Sequence, residues 1–492
     1  MRLLFNRLRG RPEISDMRGE PVAFRSARRL VLVLLGLLLV LAGCTGVAGR
    51  NERLAREDLQ AAENAYRPRG ERPALPNLTA QTGLSDLIRY ALLNNPKVES
   101  AFHDWKAAVE AITAARSLPD PMLTLSAEIA NGVQALTPAL MTDPMSSWPG
   151  PGKIPLRAEA AYQEALKKRA AFEGELLMTA MAVKRAYYQT WVVREQVRLT
   201  RESLTVVEEA EGLSRERLAA GLVTQQDVLR SQMERDRLRS DLAGLEDSRG
   251  PIAARLRAAL GISADQEMPE VSPALEPGRP DLTEQSLLAA AFERNPRLKE
   301  MRGEVSQAVA LYQLARKNTV PDYSFGLGAN VMMSPIPVMP SAGVTLPIWR
   351  DKIAAEIAGA AAQTQSAKAK LSAEELDLAV RFAETAFAWR QADRQVKLLG
   401  ERLIPKAKAA LDSARSGYAA GMSSFLDLLE GQRTILDYQL GYASAAGERE
   451  MVLAEMSLVI LGRWPEDVTS FVPPSPVGKA PSRSGPSVDT RR

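Results

Sequence analysis

Cysteine and histidine are almost absent from this chain of 492 residues, with Cys44 and His103 the only examples. A Cys/His zinc site, a disulfide framework and a Cys–His catalytic couple are thereby excluded. Also missing are a G-x-S-x-G elbow with a histidine partner, an H-E-x-x-H pair and a G-x-x-x-x-G-K-[ST] loop, the usual marks of a hydrolase or nucleotide-binding enzyme. A net basic surplus is confined to the N-terminus. The first 43 residues hold eight arginines against Glu13, Asp16 and Glu20, a surplus of +5 where the whole chain carries +4, so the rest stands at −1 and offers no stripe for nucleic acid. What is present is ordinary: 46% hydrophobic and 25% charged residues argue against wholesale disorder and against a bundle of membrane-spanning helices. A length of 492 residues points to two or three units or to a repeat.

Arg25, Arg28 and Arg29 precede the apolar run Leu30–Leu41, and Ala42-Gly43-Cys44 follows it directly. Twelve helical residues span about 18 Å, short of a bilayer core of about 30 Å, so the run reads as a signal peptide. Leu41-Ala42-Gly43-Cys44 resembles a bacterial lipobox, in which the cysteine becomes the acylated first residue of the mature chain. Thr45 rather than Asp follows, a pattern that in such lipoproteins favours the outer membrane. The stretch before the run is long, and a start at Met17 would shorten it.

The remainder repeats itself. Ala91-Leu-Leu-Asn-Asn95-Pro96 returns as Ala291-Phe-Glu-Arg-Asn295-Pro296, and the Ala219–Gln232 segment, with Gly221 and Asp227, returns as Ala419–Gln432, with Gly421 and Asp427. Both shifts are 200 residues, which means two copies of a unit far longer than a solenoid repeat. Each copy opens with helical sequence, roughly 84 to 117 and 284 to 318. Proline then stops it, and strands with one apolar face follow: Leu123, Leu125, Ala127 and Ile129 in the first copy, Tyr323, Phe325, Leu327, Ala329 and Val331 in the second. The returning strand is expected at Ala342, Val344, Leu346 and Ile348, its weaker counterpart near Ser146 to Lys153. From Leu156 to Gly250 there is no proline and an excess of strong helix formers, which predicts one very long hairpin turning at Gly221, as its counterpart does at Gly421. Leu176, Ala180, Val183, Tyr187 and Trp191 make a packing stripe along it.

Two strand pairs cannot close a barrel, and open sheet edges are not tolerated in lipid. Three chains would supply twelve strands, an even number compatible with an outer-membrane barrel with a polar lumen.

The lipobox, the A-x-x-x-N-P helix openings, the P-D-P start of the first strand and the paired A-G-(x5)-D-(x4)-Q turns resemble the TolC-type outer-membrane efflux family over roughly residues 80 to 465. The fold this implies is mainly α with a small β part: long α-helical hairpins forming an α-barrel, a twelve-stranded trimeric transmembrane β-barrel, and a two-fold internal repeat. The resemblance implies a lipoprotein duct of a tripartite efflux pump, without cofactor or catalysis, anchored through Cys44 in the outer membrane and reaching into the periplasm. Its implied partners are two further copies, a periplasmic adaptor and an inner-membrane pump. Trp148-Pro-Gly-Pro-Gly-Lys153-Ile-Pro-Leu-Arg157 is similar to the corner of the branch serving metal-cation and drug exporters of the resistance-nodulation-division type. Tyr418, Asp427 and Glu430 match positions that narrow the family's periplasmic entrance, and Asp227 matches the acceptor of the tyrosine's hydrogen bond. Arg230 stands where the second turn has Glu430, and Ser423 where the family has an arginine. A solvated face near a turn is the plainer reading of Glu430.

The implied boundaries are a signal peptide at 1–43, an anchored segment at 44–80, a first repeat at 81–261, a linker at 262–281, a second repeat at 282–465 and a disordered tail at 466–492. Met141, Met145, Met332, Met333 and Met339 fall between the expected strands, where thioethers suit soft ions such as Cu(I) and also simply fill loops. His103 reads as structural. The rival reading is a periplasmic adaptor or scaffold lipoprotein, which should carry one hairpin flanked by β-rich segments rather than two in register.

Overall fold

A computed structural model describes residues 48–129, 133–142, 148–266, 271, 273–275, 284–420 and 422–462. The chain divides into two compact units, Met1–Gly49 and Arg50–Arg492, and every element below belongs to the second. The signal peptide, Cys44, Met145, Gly421, the tail and most of the linker lie outside the described residues.

Helix α1 spans Arg50–Tyr66, α2 Leu84–Asn94 and α3 Pro96–Arg116, and strands β1 (Pro121–Ile129) and β2 (Val133–Thr142) follow. Then come α4 (Lys153–Ala219), α5 (Gln225–Asp247) and α6 (Arg249–Leu260). The same order returns with α7 (Glu284–Arg294), α8 (Pro296–Arg316), β3 (Tyr323–Ala329), β4 (Val338–Val344), α9 (Arg350–Lys397), α10 (Ile404–Ala419) and α11 (Phe425–Ala454). A π-helical turn at Leu398–Leu403 joins α9 to α10, and another at Glu455–Ile460 ends α11.

The helices expected over 84–117 and 284–318 are each broken in two, at Asn95 and Asn295. A residue before proline is pushed out of the α region, and asparagine makes use of that break. Asn95 Oδ1 accepts the Lys97 N–H at 2.9 Å to start α3, while its Nδ2 donates to the Ala259 carbonyl at 2.9 Å and so finishes α6. Asn295 repeats the device, taking the Arg297 N–H at 2.9 Å and donating to Val459 and Ile460 carbonyls at 3.0 and 3.1 Å. One side chain thus satisfies orphan groups at two helix ends. Gly261 closes the joint at φ +71°, where an added Cβ would stand 2.7 Å from Asn95 Cα.

The strands form one antiparallel sheet in the order β1-β2-β3-β4. The strand expected near 146–153 is instead β2, at Val133–Thr142, and the one expected over 342–348 starts and ends earlier, at Val338–Val344. Pro347 and Pro149 belong to corners leading into the long helices. Leu123, Leu125, Ile129, Leu140, Phe325 and Leu327 stand exposed on one face of the sheet. Thr124, Ser126, Glu128, Thr137, Ser324 and Ser341 occupy the other.

The corner Trp148–Gly152 fastens β2 to β3. Trp148 N–H donates to the Tyr323 carbonyl at 2.6 Å, and Tyr323 N–H returns the bond at 2.9 Å. Asp322 Oδ1 accepts the Gly150 N–H at 2.6 Å and the Lys153 ammonium at 2.7 Å. Gly150 is required there, because a Cβ would lie 2.3 Å from the Pro321 carbonyl oxygen.

Helix α4 is 67 residues long, about 100 Å at 1.5 Å per residue. Leu176, Ala180, Val183 and Tyr187 are buried as the stripe requires, and Trp191 is half-buried. The main core gathers Tyr66, Phe102, Trp105 and Phe172, with the Phe172 ring centroid 5.6 to 5.8 Å from the other three. A smaller core joins Leu298, Leu378, Phe382 and Ile460 in the second half. His103 is exposed on α3, its ring edge-on to Phe102 at 5.4 Å. Among the described residues no helix is long and apolar enough to cross a membrane.

Candidate functional site at the hairpin tips

Gly221 adopts φ +71° in the first turn. Its counterpart Gly421 lies outside the described residues. In the second turn Gly417 is the tight point, since a Cβ there would stand 2.3 Å from Ser423 Oγ, and its carbonyl accepts the Met422 N–H at 2.8 Å. Ser423, which replaces the family's arginine, is therefore packed inside the turn.

Asp227 and Asp427 both serve as helix caps. Asp227 Oδ2 accepts the Thr224 N–H at 3.1 Å and the Thr224 hydroxyl at 2.8 Å. Asp427 Oδ2 accepts the Ser424 N–H at 2.9 Å while its own N–H donates to Ser424 Oγ at 3.1 Å, a reciprocal capping box. The Ser424 side chain, and then its backbone N–H, hold the Asp427 carboxyl below the ordinary carboxylate range. Glu430 is exposed one turn further along α11 and meets no cation among the described residues. The two acids share the exposed start of one helix, so their charges add.

Tyr418 does not bond to Asp227 as expected. Its hydroxyl is buried without a partner among the described residues, and the Asp227 carboxylate is folded back on Thr224. What holds the tyrosine is Arg217, from the other hairpin. The guanidinium lies 4.4 Å from the Tyr418 ring centre and donates to the Tyr418 carbonyl at 3.4 Å, with the Phe425 ring centre 5.6 Å from that of Tyr418. Arg217 escaped the sequence reading because its position in the second copy is Gly417, so the repeat gives no hint of it. Beside this clamp a cavity of about 470 Å³ opens between α4 and the second hairpin, lined by Ala210, Leu213, Leu411, Leu428 and Gln432.

The methionines are distributed differently from expectation. Met141 lies within β2, directly opposite Met122 of β1, and Met339 within β4. Met332 and Met333 alone occupy the described connection between β3 and β4. Among the described residues no group of three or more His, Cys, Asp or Glu side chains could hold a metal ion.

The model of the outer membrane efflux protein family matches residues 152–262 and 287–459, the two hairpins with their flanking helices. The chain belongs to that family. Members are outer-membrane channel and transport proteins, which places this chain in the outer membrane. It is 24% identical over 395 residues to the cobalt-zinc-cadmium resistance protein CzcC of Cupriavidus metallidurans, covering 80% of this chain and 92% of that one. It is 22% identical over 483 residues to the probable outer membrane lipoprotein SilC of Salmonella typhimurium, covering 89% of this chain and 100% of that one. Its fold is that of the outer membrane protein VceC of Vibrio cholerae, with a TM-score of 0.65 at 18% identity over 77% of this chain and 96% of that one. For an efflux protein of this fold the hairpin tips and the sheet are opposite ends, because α4 runs from the sheet corner at Lys153 to the tip at Ala219.

Proposed function

We propose that three copies of this chain, each two repeats of one unit (81–261 and 282–465), form a duct. A twelve-stranded β-barrel lies in the outer membrane, an α-helical barrel reaches into the periplasm, and acylated Cys44 anchors each copy. The duct passes metal cations or drugs from an inner-membrane pump of the resistance-nodulation-division type, through a periplasmic adaptor. The carrying observation is the sheet: one face is apolar and exposed, the strands β1 and β4 have free edges, and about 100 Å of helix hangs from it. Free edges have no place in lipid, so neighbouring copies must supply their partners. The name of CzcC favours metal cations as cargo.

At the other end, Asp427 and Glu430 of three copies converge as a ring of carboxylates that concentrates cations, and Asp227 and Tyr418 mark the hairpins that must part for passage. Arg217 holds those hairpins together. The test is conductance in planar bilayers together with mass in detergent. Asp427→Asn with Glu430→Gln is expected to leave a trimer whose cation preference and cation block are reduced. A trimer that keeps both would remove the acids from the constriction, and a stable monomer would remove the duct.

A further inference from the structure

The two repeats are related in their strands by a shift of 202 residues, which aligns Pro119-Asp120 with Pro321-Asp322 and Pro138 with Pro340. The strand registers agree: Pro121 faces Thr142 in the first pair, and 202 residues on Tyr323 faces Val344 in the second. Between the pairs, inside one chain, Ala139, Leu140 and Met141 of β2 face Gly328, Leu327 and Gly326 of β3. That joint is locked at its base by Asp322 on Lys153, the first residue of α4.

The other joint of the sheet has every part but no partner. Asp120 and Arg350, the first residue of α9, are both exposed and join no ion pair among the described residues. Corner residues Leu346, Ile348 and Trp349 are 64, 65 and 72% exposed, whereas Pro149 and Gly150 in the filled corner are buried. An unpaired carboxylate on the β1 side and an unpaired guanidinium on the β4 side are complementary, and a second copy of this chain supplies both in the right order.

We propose that the seam between copies repeats the joint within the chain: β4 of one copy pairs with β1 of the next in the register Ser341–Ser126, Ala342–Leu125 and Gly343–Thr124, and Asp120 of the next copy closes on Arg350. The 202-residue shift applied to the β2–β3 register yields these pairs. Each pair matches polar face with polar face and apolar with apolar, as the shared registers of one continuous sheet require. The inference rests on the duct reading, which supplies the neighbouring copy.

The experiment uses full-length protein purified in detergent. Ser341→Cys with Ser126→Cys, treated with a short thiol crosslinker, is expected to give covalent species of two and three chain masses. Each single cysteine variant gives none, which sets aside Cys44. Ser341→Cys with Met122→Cys, on the same face but about 13 Å along the strand, gives none either. A trimer that does not crosslink through 341 and 126, or that crosslinks equally through 341 and 122, overturns the register while leaving the duct standing; a monomer overturns both. For the ion pair, Asp120→Arg should lower the fraction of trimer surviving SDS by at least half, and adding Arg350→Asp should restore it. Failure of the double exchange to restore it removes the latch.

Discussion

The first hairpin is laced near its tip, and the second only farther up, where Arg449 of α11 reaches Asp393 of α9 at 3.5 Å. Across α4 and α5, Arg235 reaches Glu211 at 2.8 Å, Arg239 reaches Glu208 at 2.6 Å and Arg201 reaches Glu246 at 2.6 Å. Between α10 and α11 no ion pair forms among the described residues. Small side chains do the packing there, with Gly431 against Leu411, and a π turn interrupts the helix above. Exposed ion pairs contribute little each, but Glu211 is only 5% exposed and also receives Arg215. The two hairpins therefore differ in stiffness near their tips. The stiff hairpin carries the arginine of the tip clamp, and the looser one carries the tyrosine and the acids that ring the proposed entrance.

The strongest way to break this contrast is to separate the hairpins. Gly447 of α11 meets α4 so closely that a Cβ would stand 2.1 Å from Val192 Cγ2, a β-branched side chain with one strongly preferred rotamer in a helix. Gly447→Ala gains up to about 1 kcal/mol of helix propensity and loses about 1–3 kcal/mol to overpacking, so a net fall in the thermal midpoint is expected. A rise would mean that the helices slide freely there. A smaller effect is expected from making the first hairpin resemble the second. Glu211→Gln removes the anion that ties Arg235 across the hairpin and leaves it only Asp236 on its own helix, at about 1–2 kcal/mol, and should raise amide exchange in α5 while leaving α11 unchanged; equal change in both would show that the two hairpins open as one. The smallest effect is on acidity. With its folded-state pKa depressed, Asp427 adds stability above its unfolded-state pKa and loses it as pH falls through the lower folded value. Amide exchange at the start of α11 should therefore quicken only below the ordinary carboxylate range, and Asp427→Asn should abolish that dependence.

The helices and the turn at Gly221 were legible in the sequence because proline, periodicity and glycine act locally. Strand β2 was not. Its polar face reads Ala135, Thr137, Ala139, Met141, too apolar to alternate with Leu136 and Leu140, and Pro138 argues against a strand interior. Pro138 is tolerated because the β2–β3 ladder begins one residue later, at Ala139. The asparagine–proline motif was visible as a repeat, but its second task depends on carbonyls 164 residues away. At the tips, T-x-x-D and S-x-x-D could have been read as capping boxes from sequence alone. Arg217 could not, since its partner is a ring supplied by another hairpin.

The π turn at Glu455–Ile460 concerns rotational phase. From tip to root the repeats do not keep step: Asp227 returns as Asp427 after 200 residues, but Gly261 returns as Gly462 after 201. One surplus residue in an α-helix would turn everything beyond it by about 100°, and the Val459 and Ile460 carbonyls would swing away from Asn295. A single widened turn takes up that residue. The second hairpin can thus differ in length from the first and still arrive at its root facing the same way, which leaves its length free to vary while its seat on the fold stays fixed.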